Sequence, residues 1–275
     1  MKINQIDTDE QVFIVAEIGN NHEGDFDVAQ ELIRQAAIAG ADAVKFQTFV
    51  PELYVSSEDQ ERLERLRKFQ FSFEQFHNLK KFAKVQGIIF FSTPFDLVSA
   101  EELNKFQSLF KVSSGDNTYI RLLQKVASFK KPTIVSSGLA SVKDLELVCK
   151  IWSDVNAIKK LAILHCVSSY PVPIEEANLL AISELKKVFP DIVIGYSDHT
   201  LGIQASCSAV AIGARIIEKH FTLDKNYSDF RDHQLSADPS EMKDLVEQIR
   251  IIEKSLGGGQ KTSQQSELGN LTAVR

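Results

Sequence analysis

Eight short apolar stretches recur along this chain, and most of them end on a side chain that can bind an ion or transfer a proton. They begin at Val12, Ala43, Ile88, Leu109, Thr133, Leu161, Ile192 and Ala214. Segments with helical periodicity separate them, so strands and helices alternate. Such alternation implies a parallel sheet with right-handed crossovers, and eight repeats predict a single-domain α/β fold, the (β/α)₈ TIM barrel. In that fold the C-terminal ends of the strands converge on one mouth, where the chemistry takes place.

The helical segments each carry an apolar stripe. In residues 25–38, for example, Phe26, Leu32 and Ile33 recur at helical spacing. The other predicted helices cover about residues 73–86, 97–106, 119–128, 141–154, 175–188, 202–212 and 240–255. Residues expected to cap helices, because their side chains accept hydrogen bonds from free N–H groups, are Asp25, Ser72, Ser141 and Ser240.

Three segments fall outside this alternation. Residues 1–11 are expected to form a short strand that caps the closed end of the barrel, which covers residues 12–256. Residues 257–275 begin with a glycine- and glutamine-rich stretch typical of a linker. The long connection at 49–72 has two interpretations: a solvated helix with ion pairs one turn apart, or a loop that helps to cover the mouth.

Composition argues against several classes of function. The net charge of −6 over 275 residues argues against a nucleic-acid or membrane-surface partner, although local lysines can still bind an anionic substrate. No apolar run approaches the roughly 20 residues of a membrane span, and no basic-then-apolar leader opens the chain. Cys149, Cys166 and Cys207 show no paired spacing, which is typical of a reducing compartment. We therefore expect a cytoplasmic protein.

Five of the six histidines lie at or just after predicted C-terminal ends of strands. His199 and His220 end consecutive strands, the seventh and eighth, so we expect the two imidazoles to be neighbours at the mouth. Such a pair suits a divalent cation such as Mn²⁺, Fe²⁺, Co²⁺ or Zn²⁺. The alternative is a hydrogen-bonded pair without metal. His165, within a strand beside Cys166, is interpreted as structural.

Two lysines and a ring of hydroxyls indicate an anion site. Lys45 and Lys111 lie in or at the ends of apolar strands, where an ammonium group is costly to desolvate unless it meets an anion. The partner is either an ion-paired carboxylate such as Glu17 or the phosphate or carboxylate of a ligand. Hydroxyls expected on the same rim belong to Thr93, Ser114, Ser136, Ser168 and Ser197. The sequence contains no glycine-rich nucleotide loop.

Two carboxyl groups at this mouth are expected to take part in proton transfer. Glu17 closes the first strand, and Asp232 lies in the loop after the eighth. Carboxylates beside a metal and an anion suit proton transfer to water or to a carbonyl oxygen. The alternative for Glu17 is a structural role as the ion-pair partner of the lysines.

A series of motifs connects these residues. The motifs occupy residues 16–24, 45–49, 92–96, 111–116, 131–138, 165–171, 194–202, 217–224 and 232–233. They include Ala16-Glu-Ile-Gly-Asn-Asn-His-Glu-Gly24, Lys111-Val-Ser-Ser-Gly-Asp116 and Ile217-Glu-Lys-His-Phe-Thr-Leu-Asp224. With these motifs in this order, the chain resembles the N-acetylneuraminate (sialic acid) synthase family over most of its length.

The resemblance implies a reaction and assigns roles. Members of that family condense phosphoenolpyruvate with an N-acylated amino-sugar aldehyde such as N-acetylmannosamine, and they release a nine-carbon 2-keto acid and phosphate. By resemblance, His199 and His220 bind a divalent metal, expected to be Mn²⁺ with Mg²⁺, Co²⁺ or Fe²⁺ as alternatives. Glu17 and Asp232 form the acid–base pair, and Gln47 contacts the sugar. The phosphoenolpyruvate clamp, in which Lys45 also has a catalytic role, corresponds to Lys45, Thr93, Lys111, Ser114, Ser136, Ser168, Tyr170 and Ser197.

The chain departs from the family pattern in two places. Members of that family commonly carry a small antifreeze-like domain after the barrel. In a swapped dimer this domain covers the partner's mouth and supplies an arginine to the sugar, whereas this sequence is expected to end within the linker leading to it. We expect a homodimer. The absence of the antifreeze-like domain has three candidate explanations: truncation, a separate capping-domain protein or a different acceptor. The loop Phe230-Arg231-Asp232-His233 replaces the usual Gly-Pro-Asp-His-like turn. That change puts the acceptor contacts in question and allows Arg231 to replace the missing arginine.

Three other functions stay open. One is a phosphoenolpyruvate-condensing synthase with a different acceptor, such as a non-acetylated sugar phosphate. Another is a barrel that binds a ligand without turnover. The third is a metal-dependent hydrolase, which would need more carboxylate ligands than the sequence offers.

Overall fold

Ten strands form two sheets in the computed structural model, which describes residues 1–270. The strands are β1 (Lys2–Ile3), β2 (Ile6–Asp7), β3 (Phe13–Gly19), β4 (Ala43–Thr48), β5 (Ile89–Pro94), β6 (Phe110–Val112), β7 (Thr133–Ser136), β8 (Leu161–His165), β9 (Val193–Asp198) and β10 (Ile216–His220). The parallel sheet has the order β5-β4-β3-β10-β9-β8-β7-β6, and β6 lies against β5. The ring is therefore nearly closed, and the predicted single (β/α)₈ barrel is confirmed.

Helices connect the strands and surround the barrel. Within residues 1–270 the α-helices are α1 (Phe26–Ile38), α2 (Pro51–Tyr54), α3 (Gln60–Phe69), α4 (Phe73–Val85), α5 (Leu97–Asn104), α6 (Ile120–Ser128), α7 (Val142–Asp154), α8 (Ala181–Val188), α9 (Gln204–Ala211), α10 (Asp232–Leu235) and α11 (Pro239–Leu256). Buried side chains such as Leu32 and Leu245 fill the layer between helices and sheet. Asp25, Ser72 and Ser141 cap α1, α4 and α7 as predicted.

Helix α8 begins at Ala181 rather than near residue 175, where the sequence predicts its start. A short 3₁₀ turn at Ile174–Glu176 comes first. Asn178 then adopts a left-handed backbone conformation, with φ of +46°, which interrupts helical hydrogen bonding before α8 starts.

Helix α11 is capped by Asp238, and the expectation that Ser240 caps it is wrong. The Asp238 carboxylate accepts a hydrogen bond from the backbone N–H of Glu241. Pro239 occupies the first helical position, where its missing N–H costs no hydrogen bond.

An antiparallel hairpin of β1 and β2 lies at the amino-terminal end of the barrel strands. Ile3 is fully buried there, in one apolar cluster with Phe13, Ala43 and Ile216, the first residues of three barrel strands. We expected one strand in residues 1–11. The structure has two, because Asn4 adopts a left-handed conformation, with φ of +51°, that turns the chain between them.

The barrel interior changes from apolar to charged along the strands. At the amino-terminal end its side chains are hydrocarbon, whereas the C-terminal half buries charged groups, including Lys45 and Lys111. Alternation along β10 puts Glu218 and His220 on the inner face and Lys219 on the outer face.

An ion pair between Lys219 and Asp198 joins the ends of β10 and β9 on that outer face. Its Nζ and Oδ2 atoms are 3.3 Å apart, and both side chains are fully buried. Asp198 also accepts hydrogen bonds from the hydroxyls of Ser206 at 2.7 Å and Thr200 at 2.8 Å. The pair therefore fixes the two strand ends immediately before the histidines predicted to bind metal.

The connection at residues 49–72 forms α2 and α3. Leu66 and Phe69 of α3 are buried in an apolar cluster with Phe95 of the loop after β5. Arg67 pairs with Glu52 of α2, at 2.8 Å between Nη2 and Oε1, rather than with a residue one turn away on its own helix. The interpretation as a solvated helix is correct in that α3 is a helix with mostly exposed residues, but its expected ion pairs one turn apart are not those of Arg67. Its buried side chains pack at the mouth, as the other interpretation expected.

None of the helices in residues 1–270 is long and apolar enough to cross a membrane. After α11, residues 257–270 are exposed. The rest of the predicted linker, residues 271–275, lies outside the described part of the chain, and the linker interpretation stays a prediction.

Replacing Lys219 with methionine is expected to lower the free energy of unfolding by about 3–5 kcal/mol, because the Asp198 carboxylate then stays buried without its counter-charge. Urea denaturation measures the change. The double variant Asp198→Asn/Lys219→Met should recover part of the loss. Lys243→Met, which removes an exposed lysine 3.8 Å from Glu247, is the control and should have little effect. A loss in Lys219→Met no larger than in this control would contradict the assignment.

Candidate active site

A cavity of about 350 Å³ opens at the C-terminal ends of the barrel strands. Every side chain that the sequence analysis assigned to the site lines it: Glu17, Lys45, Gln47, Thr93, Lys111, Ser114, Ser136, Ser168, Tyr170, Ser197, His199, His220 and Asp232. They come from all eight barrel strands or from the loops that follow them. The fold therefore brings residues that are far apart in sequence to one mouth.

Two lysines and two glutamates form a buried charge network at the base of this cavity. Nζ of Lys45 lies 2.7 Å from Oε2 of Glu17 and 3.8 Å from Oε2 of Glu218. Nζ of Lys111 lies 3.2 Å from Oε1 of Glu218, which also accepts a hydrogen bond from the Ser197 hydroxyl at 3.0 Å. Each ammonium group thus has a carboxylate partner, which offsets the cost of removing its charge from water.

Burial and neighbouring charges separate the pKa values of the two carboxyls. Burial raises the pKa of Glu17 to about 7, because Lys45 offsets the desolvation only in part and Glu218 adds repulsion. Burial also opposes charge on Glu218, but Lys111 and Lys45 more than offset it and lower that pKa to about 2. Burial lowers the pKa of Lys111. Glu218 is therefore the ionised partner of both lysines, and Glu17 is the carboxyl that titrates near neutral pH.

The hydroxyls of the cavity have spare hydrogen-bonding capacity. The Oγ atoms of Ser136 and Ser168 are buried, and neither has a hydrogen-bond partner in residues 1–270. Gly138 leaves room for the hydroxyls of Ser168 and Ser114, because a Cβ atom there would lie 2.2 Å from Oγ of Ser168 and 2.7 Å from Oγ of Ser114. Buried, unpartnered hydroxyls beside lysines match the needs of an oxyanion ligand.

The two imidazoles expected to bind a metal are neighbours, with ring centroids 5.4 Å apart. Nδ1 of His199 contacts the carbonyl of Val167 at 2.8 Å, which leaves Nε2 for a ligand, and Nδ1 of His220 is buried without a partner. Burial lowers the pKa of both rings, so both are neutral at pH 7, as metal binding requires. Residues 1–270 contain no cluster of three or more His, Cys, Asp or Glu that could hold a metal. The pair therefore fits a divalent cation whose other ligands are water or substrate.

Polar groups around Gln47 and Asp232 line another part of the cavity. Gln47 donates to Oε1 of Glu17 at 3.3 Å and accepts from Nδ2 of Asn20 at 2.8 Å. Oδ1 of Asp232 lies 3.4 Å from Nε of Arg231 but makes no hydrogen bond in residues 1–270, and burial raises the pKa of this carboxyl. A buried carboxyl with a raised pKa can donate a proton.

The other histidines that follow strands have contacts away from the cavity. Nε2 of His165 contacts the carbonyl of Ala177 at 2.9 Å, in agreement with the structural interpretation of this residue. His22 stacks on Phe71 with ring centroids 4.2 Å apart. His233 is buried and contacts a hydroxyl and a carboxylate through its two ring nitrogens.

Sequence reasoning missed several residues that line the cavity. Glu218 was available from strand alternation, because it precedes His220 by two residues and shares its face. Arg62 and Arg65 of α3 also line the cavity. They looked like surface charges of a solvated helix, and only the packing of α3 at the mouth brings them to the site.

Fold and site together define a class of protein: a (β/α)₈-barrel enzyme whose mouth suits a small anion beside two neutral imidazoles and a carboxyl that titrates near pH 7. The NeuB family model matches residues 32–261, and the chain belongs to the NeuB family. As a member of this family it is a transferase that forms carbon–carbon bonds.

Relatives and a solved structure agree with this assignment. The chain is 40% identical to the N,N'-diacetyllegionaminic acid synthase of Campylobacter jejuni, with 96% of this chain and 83% of the relative covered. It is 39% identical to the N-acetylneuraminate-9-phosphate synthase of Homo sapiens, with 90% and 72% covered. The crystal structure of N-acetylneuraminic acid synthetase from Leptospira borgpetersenii matches with a TM-score of 0.93 at 36% identity, covering 99% of this chain and 95% of that one. The resemblance to sialic acid synthases is confirmed.

Glu17→Gln is expected to change how stability depends on pH. In the wild type the folded state binds the Glu17 proton more tightly than the unfolded state, so stability falls as pH rises from 4.5 to about 7. The variant lacks this titration. Its free energy of unfolding relative to wild type should therefore rise across that window, by an amount on the order of 2–3 kcal/mol.

Urea unfolding of metal-free protein at several pH values measures this difference. Glu176→Gln, which changes an exposed acid, is the control and should show no such trend. A difference between Glu17→Gln and wild type that stays constant from pH 4.5 to pH 7 would show that the pKa of Glu17 is not raised.

Proposed function

We propose that the protein condenses phosphoenolpyruvate with an N-acylated amino-sugar aldehyde of the N-acetylmannosamine type to give a nonulosonic 2-keto acid and phosphate. The observation that carries the proposal is one cavity in which two buried lysines and unpartnered hydroxyls adjoin two neutral imidazoles. The names of the relatives support it, because the Campylobacter and human proteins are called synthases of diacetyllegionaminic acid and of N-acetylneuraminate 9-phosphate.

Phosphoenolpyruvate matches the charged base of the cavity. Lys45 and Lys111 supply positive charge, and Nζ of Lys45 also donates to Oγ1 of Thr93 at 3.3 Å. Further donors come from Ser114, Ser136, Ser168, Tyr170 and Ser197. Because glutamates neutralise both lysines before the ligand arrives, binding exchanges one set of charge-assisted contacts for another and leaves no lysine buried alone.

Condensation begins when C3 of phosphoenolpyruvate attacks the aldehyde carbon and forms the new carbon–carbon bond. The aldehyde oxygen takes up a proton, for which Asp232 is the proposed donor because burial raises the pKa of its carboxyl. Positive charge develops at C2, and water adds there while Glu17, with a pKa of about 7, accepts a proton from the water.

Phosphate release completes the reaction. The bond between C2 and the oxygen that bridges it to phosphorus breaks, and its electrons leave with the phosphate. The hydroxyl on C2 loses its proton to the departing phosphate, and C2 becomes the keto carbon. Lys45 and Lys111 stabilise the charge that accumulates on that group.

The proposal includes a divalent metal held by His199 and His220, with Mn²⁺ first and Mg²⁺, Co²⁺ or Fe²⁺ as alternatives. When bound, such an ion supplies Lewis-acid polarisation of a carbonyl oxygen. The chain's own contribution is orientation, because the carbonyl of Val167 fixes the ring of His199 with Nε2 available. A homodimer, a separate capping-domain protein and a cytoplasmic location stay predictions, as does the identity of the acceptor.

His199→Ala is expected to lose Mn²⁺ binding and activity together, because one of two protein ligands is removed. Equilibrium dialysis of the chelator-treated protein measures metal binding, and 2-keto acid formation measures activity. His77→Ala, which changes an exposed histidine of α4, should retain both. Full activity of chelator-treated His199→Ala protein would disprove the metal assignment.

Lys111→Gln is expected to lower kcat/KM for phosphoenolpyruvate by about 10²–10³-fold, because it removes a charge that stabilises the departing phosphate. Lys243→Gln, on the surface, should behave like wild type.

Wild-type protein should form one 2-keto acid and one phosphate for each phosphoenolpyruvate consumed with acylated amino sugars. Phosphate release without a condensation product would indicate a hydrolase, and binding of phosphoenolpyruvate without turnover of any acceptor would indicate a ligand-binding barrel.

A further inference from the structure

One side of the cavity is cationic, and the proposed chemistry does not use it. Arg62 and Arg65 of α3 and Arg231 of the loop after β10 line the cavity. The same three residues line a neighbouring cavity of about 1070 Å³. They therefore border the passage between the two cavities, and together they form the arginine rim.

The arginine rim carries positive charge that the chain does not balance. Deeper in the cavity, both lysines have carboxylate partners. Arg231 has one partner, Asp232, at 3.4 Å. By contrast, no carboxylate of residues 1–270 forms an ion pair with Arg62 or Arg65. Two guanidinium groups at the mouth are thus available to an anion from solution.

Aromatic rings position two of these guanidinium groups. Arg62 lies over the ring of Tyr54, with its Cζ atom 5.2 Å from the ring centroid. Arg231 lies over the ring of Tyr170 at 5.0 Å. A cation–π contact positions a guanidinium without neutralising its charge, so these groups still attract a phosphate.

We propose that the arginine rim binds a phosphate on the far end of the acceptor, so that the preferred acceptor is an amino-sugar phosphate monoester. The inference rests on the proposed function. An open-chain sugar has its aldehyde at one end and its terminal hydroxyl at the other. With the aldehyde beside the imidazoles and phosphoenolpyruvate on the lysines, the terminal carbon extends toward the mouth, where Arg62 and Arg65 match a phosphate bidentately.

The surrounding charges favour one small anionic group over a polyanion. Four acids, Glu23, Glu61, Glu64 and Asp229, line the second cavity but not the first, against one further cation, Lys68. A longer anionic ligand, such as a nucleotide-linked sugar, would extend into this acidic region and meet repulsion. Beyond the arginine rim, acidic side chains thus outnumber cationic ones, which suits a single phosphate at the rim.

The test compares N-acetylmannosamine with its 6-phosphate as acceptors, at saturating phosphoenolpyruvate and Mn²⁺. For the wild type, kcat/KM for 2-keto acid formation should be about 10- to 100-fold higher with the 6-phosphate, the range expected for hydrogen bonds to a charged group. Arg62→Gln/Arg65→Gln should remove most of this preference through a higher KM for the phosphorylated sugar. Arg67→Gln, on the same helix but paired with Glu52, is the matched control and should keep the preference.

Three results would overturn the inference and leave the proposed function intact. They are equal kcat/KM values for the two sugars in the wild type, a preference that the double variant retains, and a rise in KM for phosphoenolpyruvate with both sugars, which would assign the rim to attraction of that substrate. Failure to consume either sugar would overturn the proposed function, and the inference with it.

Discussion

Two buried lysines and two buried glutamates at the mouth of the barrel are the interaction on which the rest of the site depends. An isolated ammonium or carboxylate at that depth would lose its charge or unfold the protein. Paired, the four groups stay ionisable and remain able to change partners when an anion arrives. The asymmetry of the network also sets the acid–base chemistry: burial raises the pKa of Glu17, with Lys45 offsetting it only in part, whereas Glu218 contacts both lysines and has a lowered pKa.

The barrel keeps its apolar core and its charged site at opposite ends of its axis. The amino-terminal half of the interior is hydrocarbon, closed by Ile3 of the hairpin. The C-terminal half holds the charged and hydroxyl groups, with Gly138 providing the space that Ser168 needs. Behind the inner face, the Lys219–Asp198 pair ties together the strand ends that carry the imidazoles. The two imidazoles are thus positioned partly by contacts that lie outside the barrel interior.

Much of the site was predictable because it breaks a local pattern. Lys45 and Lys111 are charges within apolar strands, and such exceptions mark either a site or a buried ion pair; here the structure shows the ion pairs as well. Glu218 was missed because it stands among three consecutive polar residues, although alternation along the strand puts it on the same face as His220. Arg62 and Arg65 were missed because a charged helical surface looks the same in sequence whether it faces solvent or a cavity.

The sequence by itself determined the barrel, its approximate boundaries and the candidate residues at its mouth. These follow from periodicity and from the side chains at strand ends, which are local properties of the chain. The tertiary structure alone decided which glutamate titrates, which nitrogen of His199 is free and which arginines reach the mouth. Those features depend on burial and on distances between side chains from different strands and helices, which no local pattern encodes.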